Sequence, residues 1–325
     1  MTPLNLYDQQ RRNLGRTRLF LAGFVLFLAF LGLGADAFLY GGGFSPGIPI
    51  CTLGALAFGG LSAWWSLHGG DQAVLESSSA RLLDPSDPLE KALDNVVEEM
   101  AIAGGVPKPR VYLIPDADPN AFATGPGPDK ASLAVTRGLL EKLNREELQG
   151  VVAHEMSHVR NYDIRLMTVV AALAGAVLLL SDGARRGLFW GRRSGRNRDG
   201  GGGGLFGILF FTLWLISILL APVIARLVAM AVSREREYLA DASGAELTRN
   251  PLALASALEK IEEAVEPTPS IKAGVAHLCI ADPRGRALNE GDGFFSNLLS
   301  THPPIARRIA LLREMGYRRT APSAP

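Results

Sequence analysis

The sequence predicts an α+β, mainly helical fold with transmembrane helices. Three features carry that expectation: two long uncharged apolar runs near the N-terminus, short β-type stretches set between helical patterns, and a capped helix with the spacing H-E-x-x-H at 154–158. A chain of 325 residues holds one large domain or two ordinary ones. Its net charge of +1 provides no basic surplus to pair with phosphates, so nucleic acid is not an expected partner. Cys51 and Cys279 are the only cysteines, too few for a disulfide scaffold or a thiolate metal site.

Residues 1–70 read as a membrane hairpin. Leu19 to Ala35 is 17 residues without a charge, and eleven of them are Leu, Phe or Val. Those eleven contribute about −5 kcal/mol toward insertion. A second uncharged run, Ile48 to Leu67, has the 20 residues of a bilayer crossing. Arg11, Arg12, Arg16 and Arg18 precede the first run, whereas the turn between the runs has no Lys or Arg. The positive-inside rule therefore puts the N-terminus in the cytoplasm. Ala35-Asp36-Ala37 resembles a signal-peptide cleavage site, but the apolar run is long for a signal and a second follows closely, which favours a retained anchor.

Residues 71–165 read as the first part of a soluble catalytic domain. Asp87-Pro88-Leu89-Glu90 supplies an N-cap, a first-turn proline and an N3 carboxylate, and Gly104-Gly105 stops that helix. Arg110 to Ile114 and Ala131 to Thr136 read as strands, with NAFATG between them as a third strand or a cleft-lining loop. Asn144 with Glu147 forms a capping box ahead of the H-E-x-x-H segment, and this helix is open to continuing into the uncharged stretch Leu166 to Leu180.

Residues 166–230 hold a second hydrophobic pair, Leu166 to Leu180 and Leu205 to Ala225, around an Arg/Gly-rich insert at 181–204. Two further crossings would put the arginines outside, against the positive-inside trend, so the number of crossings is two to four. Residues 231–325 read as the second part of the catalytic domain, with a helix after Asn250-Pro251 and a basic helix opened by His302-Pro303-Pro304.

On a helix, His154 and His158 lie on one face and can offer ring nitrogens to one metal ion. Glu155 projects about 100° round, within reach of a water rather than of the ion. A catalytic zinc needs a third protein ligand and an open position. Glu237 and Asp241, four apart in SREREYLADASGAE, supply a carboxylate ligand and a second carboxylate able to orient a ligand imidazole. Glu235 competes for the ligand role but has no carboxylate at i+4. On an exposed helix these acids would instead pair with Arg234 and Arg236.

With these residues in view, the chain resembles the HtpX-type integral-membrane zinc metalloproteases, relatives of the CAAX prenyl proteases. The resemblance rests on NLYDQQRRN at 5–13, NAFATG at 120–125, HEMSHVRNYD at 154–163, SREREYLAD at 233–241 and STHPPIARRI at 300–309. The arginine- and glycine-rich insert departs from the shared pattern. The likeness implies a zincin-like (gluzincin) catalytic domain holding one Zn²⁺ per chain on His154, His158 and Glu237, with Glu155 as catalytic base. It implies that Asn120, Ala121 and Phe122 border the substrate cleft and that His302 approaches the active site as an oxyanion donor. Against this, Asn120 is also a common turn residue, and His302 is equally a cap to the helix behind it. His68 and His277 read as structural.

The expectation is a membrane-bound zinc metalloendopeptidase in the cytoplasmic membrane of a bacterium, its site facing the cytoplasm. Its partners would be protein or peptide substrates and the lipid bilayer. The family implies misfolded or damaged membrane proteins as substrates, in a quality-control role. The rivals are a processing protease for prenylated C-termini and a membrane adaptor that keeps the fold without catalysis. Oligomeric state is not set by the sequence.

Overall fold

The computed structural model describes residues 6–39, 48–173, 216, 234–264, 278–281 and 303–320. Most of the second hydrophobic pair, the whole Arg/Gly-rich insert and His302 lie outside the described residues.

Among the described residues, two helices are long and apolar enough to cross a membrane, α1 (Leu6–Leu39) and α2 (Ile50–His68). They run antiparallel, since Gly32 on α1 meets Thr52 and Ala55 on α2 while Val25 and Leu28 meet Gly59. Asp36 crosses between them. Its two oxygens accept from the Cys51 and Thr52 N–H groups at 2.9 and 2.8 Å, so α1 caps the start of α2. At 1.5 Å per residue, α1 is roughly 50 Å long, well beyond a hydrocarbon core of about 30 Å. The helix thus outruns the 17-residue apolar stretch, and its polar N-terminal turns project from the hairpin to meet the rest of the protein.

After the short helix α3 (Gly70–Ser77) comes β1 (Arg81–Leu82), followed by α4 (Pro88–Gly104). Asp87 caps α4 through the Leu89 and Glu90 N–H groups, and Gly105, at φ 64°, ends it in the left-handed conformation glycine favours. The strands β2 (Arg110–Ile114), β3 (Ala121–Thr124) and β4 (Ser132–Thr136) follow. NAFATG is therefore a strand rather than a loop over most of its length. The sheet order is β1-β2-β4-β3, with β2 and β4 parallel and both edge strands antiparallel to their neighbours.

A short α5 (Arg137–Lys142) leads to α6 (Arg145–Arg160), whose capping box is complete: Asn144 accepts from the Glu147 N–H and Glu147 accepts from the Asn144 N–H. The helix does not run on unbroken. It stops at Arg160, Tyr162 takes a left-handed φ of 59°, and a new helix, α7, continues over 163–173. On a straight helix, residue 163 would lie about 140° round from residue 158. The break is what lets it turn back.

The helices α8 (Arg234–Thr248), α9 (Pro251–Glu262) and α10 (Ile305–Thr320) complete the described fold. Together with α4 and the sheet they enclose α6, which is buried from Val151 to Val159 on every face. A helix enclosed in this way carries apolar residues all round, and polar ones persist only with partners. On α6 those polar residues are His154, Glu155, Ser157 and His158.

Candidate metal centre

His154, Glu155 and His158 are at most 4% exposed, and Glu237 on α8 is 2% exposed. Burial of four such groups needs compensation, and the geometry shows its form. The Nε2 atoms of His154 and His158 are 3.3 Å apart. Glu237 Oε2 lies 3.6 Å from the first and Glu237 Oε1 lies 3.5 Å from the second. A tetrahedral ion with bonds of about 2.0–2.1 Å sets its ligand atoms roughly 3.3–3.4 Å apart. The two nitrogens, and the Glu237 oxygen nearer to each, stand close to that spacing; taken as one donor atom per residue, the three lie within 4.8 Å of one another. His₂Glu is a donor set suited to Zn²⁺ with one position open. Among the described residues, Glu237 is the carboxylate grouped with the two histidines.

Each histidine has a carboxylate behind it. Asp241 Oδ1 lies 3.0 Å from His154 Nδ1, and Asp163 Oδ2 lies 3.1 Å from His158 Nδ1. Such partners select the tautomer that leaves Nε2 free to ligate. Each carboxylate in turn faces a buried arginine. Arg308 grips Asp241 through both oxygens, at 2.8 and 2.7 Å, and donates a third bond to the Ile280 carbonyl. Arg236 Nη1 stands 3.5 Å from Asp163 Oδ1. Two parallel His–Asp–Arg series thus run outward from the metal position.

Electrostatics agree. Burial alone would raise the Asp241 carboxyl, but the Arg308 charge and its hydrogen bonds overcome that and hold it at about 2. Burial would likewise lower His158, yet the hydrogen bonds to Asp163 and Glu237 push it to about 10. A pocket that favours an added proton so strongly favours any cation placed between its acids.

Glu155 differs from these groups. The Ala123 N–H on β3 donates to its carboxylate, whereas Oε2 is buried with no hydrogen-bond partner. Burial pushes its pKa up, against the pull of the two imidazoles. A buried carboxylate with one unused oxygen beside a metal position is suited to hold a water and take its proton.

The other expected site residues are placed differently. Asn120, Ala121 and Phe122 are fully buried; the Asn120 amide donates to the Ala281 carbonyl, and the Ile280 N–H donates to Ala121 O. Their side chains therefore belong to the joint between β3 and the 278–281 segment, while the β3 backbone faces Glu155 through Ala123. Asp163 and Arg308 carry no role in the sequence expectation although both lie in the motif stretches at 154–163 and 300–309, and Arg236 figures there only as a surface partner for the acids.

Comparison with known proteins agrees with this geometry. The model of peptidase family M48 matches residues 88–316. A protease HtpX homolog of Thermoanaerobacter pseudethanolicus is 43% identical over 316 residues, covering 97% of this chain and 99% of that protein. A protease HtpX homolog of Tropheryma whipplei is 45% identical over 312 residues, covering 96% and 99%. Among solved structures, the crystal structure of S. mikatae Ste24p is similar at 18% identity with a TM-score of 0.49, covering 94% of this chain and 66% of that one. That likeness is too loose to transfer any residue's role.

Proposed function

The chain belongs to peptidase family M48, among its HtpX-type members, and from that premise we propose that it is a membrane-anchored zinc endopeptidase. The observation that carries the proposal is the triangle of His154, His158 and Glu237 donor atoms with the unused Glu155 oxygen beside it.

A Zn²⁺ held by the three ligands would supply the Lewis acidity that makes water nucleophilic near neutral pH. The protein's own part falls to Glu155. Its Oε2 accepts a proton from the attacking water as the C–O bond forms. The same proton then passes to the amide nitrogen as the C–N bond breaks and the amine leaves. Asp241 and Asp163 keep the imidazoles oriented, and the close packing of α6, α8 and β3 excludes bulk water.

In this reading, Asn120, Ala121 and Phe122 border the substrate cleft through the backbone of β3. His302, three residues before the start of α10 in the sequence, donates to the developing oxyanion. The N-terminal turns of α1 touch Arg160, Asn161 and Asp163, so the metal site shares a side of the membrane with the N-terminus. The arginines at 11, 12, 16 and 18 favour the cytoplasmic face of a bacterial inner membrane. The substrates we propose are misfolded or damaged membrane proteins.

The test uses the full chain in detergent, stripped by a chelator and reloaded with Zn²⁺. It is given either an unfolded membrane-derived protein or a prenylated peptide. Zinc-dependent new termini in the unfolded protein support the proposal. Cleavage confined to the prenylated peptide favours a processing role, and binding without cleavage favours an adaptor.

A further inference from the structure

The seam between α1 and α7 is apolar for most of its length. Phe24, Leu28, Val169 and Leu173 form one buried cluster, and Phe20 packs on Leu166 and Val170. Continued toward the N-terminus at steps of three or four, the same face of α1 carries Thr17, Asn13 and Gln10, which are polar. Asn13 and Thr17 are each 2% exposed, and the Thr17 hydroxyl donates back to the Asn13 carbonyl. The Asn13 amide has a more consequential use. It donates to the Asn161 carbonyl at 2.9 Å and to Asp163 Oδ1 at 2.7 Å.

Asp163 is the carboxylate whose other oxygen faces His158 Nδ1. Among the described residues, the groups facing its Oδ1 are Asn13 at 2.7 Å and Arg236 at the longer distance of 3.5 Å. A carboxylate is planar, so fixing one oxygen aims the other. Asn13 holds the oxygen turned away from the histidine and thereby directs the oxygen turned toward it. A slide of α1 by one turn, about 5.4 Å, would leave a buried amide and a buried carboxylate unmatched. A buried polar contact at one end of an otherwise apolar helix seam is a device that fixes register.

We infer that Asn13, on the membrane helix, is a positioning residue for the metal site, aiming Asp163 at His158 so that the seating of α1 governs how tightly the second histidine holds the metal. The inference rests on the zinc-site reading above. It makes the anchor part of the centre rather than a tether, and a chain cut free of its hairpin would keep all three ligands yet hold metal less firmly.

The experiment uses full-length protein in detergent loaded with Co²⁺, and follows loss of the visible absorption band on adding EDTA. The variants are Asn13→Ala, Gln10→Ala, Asp163→Ala and the double variant Asn13→Ala/Asp163→Ala. Gln10 is the control, since it ties α1 to the Arg160 carbonyl at 2.9 Å without touching Asp163. The expected result is metal loss roughly tenfold faster for Asn13→Ala, at the lower end of the effect of partners behind metal ligands. Its band should also be shifted, while Gln10→Ala keeps the parental rate and band. In the Asp163→Ala background, Asn13→Ala should add nothing, because the route it acts through is gone. Should Asn13→Ala not fold, Asn13→Ser, which shortens the amide's reach at smaller cost in polarity, is read the same way. A parental rate in Asn13→Ala, equal loss in Gln10→Ala, or a full additional loss in the double variant overturns the inference. A parent that takes up no Co²⁺ at all overturns instead the metal-site reading beneath it.

Discussion

Gly244 on α8 lies directly against the backbone of His154 on α6: a Cβ at Gly244 would stand 3.0 Å from the His154 nitrogen and 3.1 Å from its Cα. Glu237, Asp241 and Gly244 follow one another at steps of four and three, so a single face of α8 carries the proposed ligand, the acid facing His154 and the point of closest approach. The missing side chain is what lets the other two reach inward. Gly244→Ala should push the helices apart, lower stability by about 1–3 kcal/mol and lower metal affinity as well. Melting temperature and zinc content, measured on the same preparation, check both parts.

Arg308 and Asp241 form a buried pair with bidentate geometry. Removing one member strands the other. Arg308→Ala should cost about 3–5 kcal/mol of stability, because the Asp241 carboxylate would remain buried without its cation. The double variant Arg308→Met/Asp241→Leu should recover much of that stability but not the metal site, since His154 would have lost its partner. Chemical unfolding and metal titration separate the two effects.

Glu90 predicts a pH effect away from the metal site. It accepts from Arg81 at 2.6 and 3.0 Å and from the Asp84 N–H at 2.6 Å, and these bonds, the Arg81 pair first, hold its carboxyl below the usual range despite burial. A carboxyl lowered in the folded state contributes stability that is fully present above its unfolded pKa of about 4.3 and is lost as pH falls through the folded value. Glu90→Gln should therefore cost about 1–2 kcal/mol at pH 7. The gap between variant and parent should narrow steadily below about pH 4.3. Parallel melting curves at pH 7 and pH 4 test this.

What the sequence revealed about the site was local. The Asn144–Glu147 box, the His154/His158 pair and the Glu237/Asp241 pair are each defined by steps of three or four along one helix, and periodicity displays them. The Arg110–Ile114 strand matches its apolar stretch, and β4 begins one residue later than the apolar run, at Ser132. The unread contacts are those that periodicity does not encode. Arg308 meets Asp241 across 67 residues, and Asn13 meets Asp163 across 150. Asp163 stands five residues after His158, a step that helical periodicity does not align. Only the left-handed turn at Tyr162 brings it back to His158. The buried positions of Asn120 and Phe122 followed from the 278–281 segment bridging onto β3, another long-range pairing.

The central claim is that Glu155 moves the proton at a metal held by its neighbours. The most direct measurement compares the zinc-loaded parent with Glu155→Gln, counting new termini released from an unfolded substrate while zinc content is measured in both. The substitution keeps the size and the ligands and removes the base. Equal zinc and a fall in cleavage of at least about 100-fold, the contribution of a positioned general base, are expected. Undiminished cleavage by a Glu155→Gln protein that holds its zinc would contradict the claim.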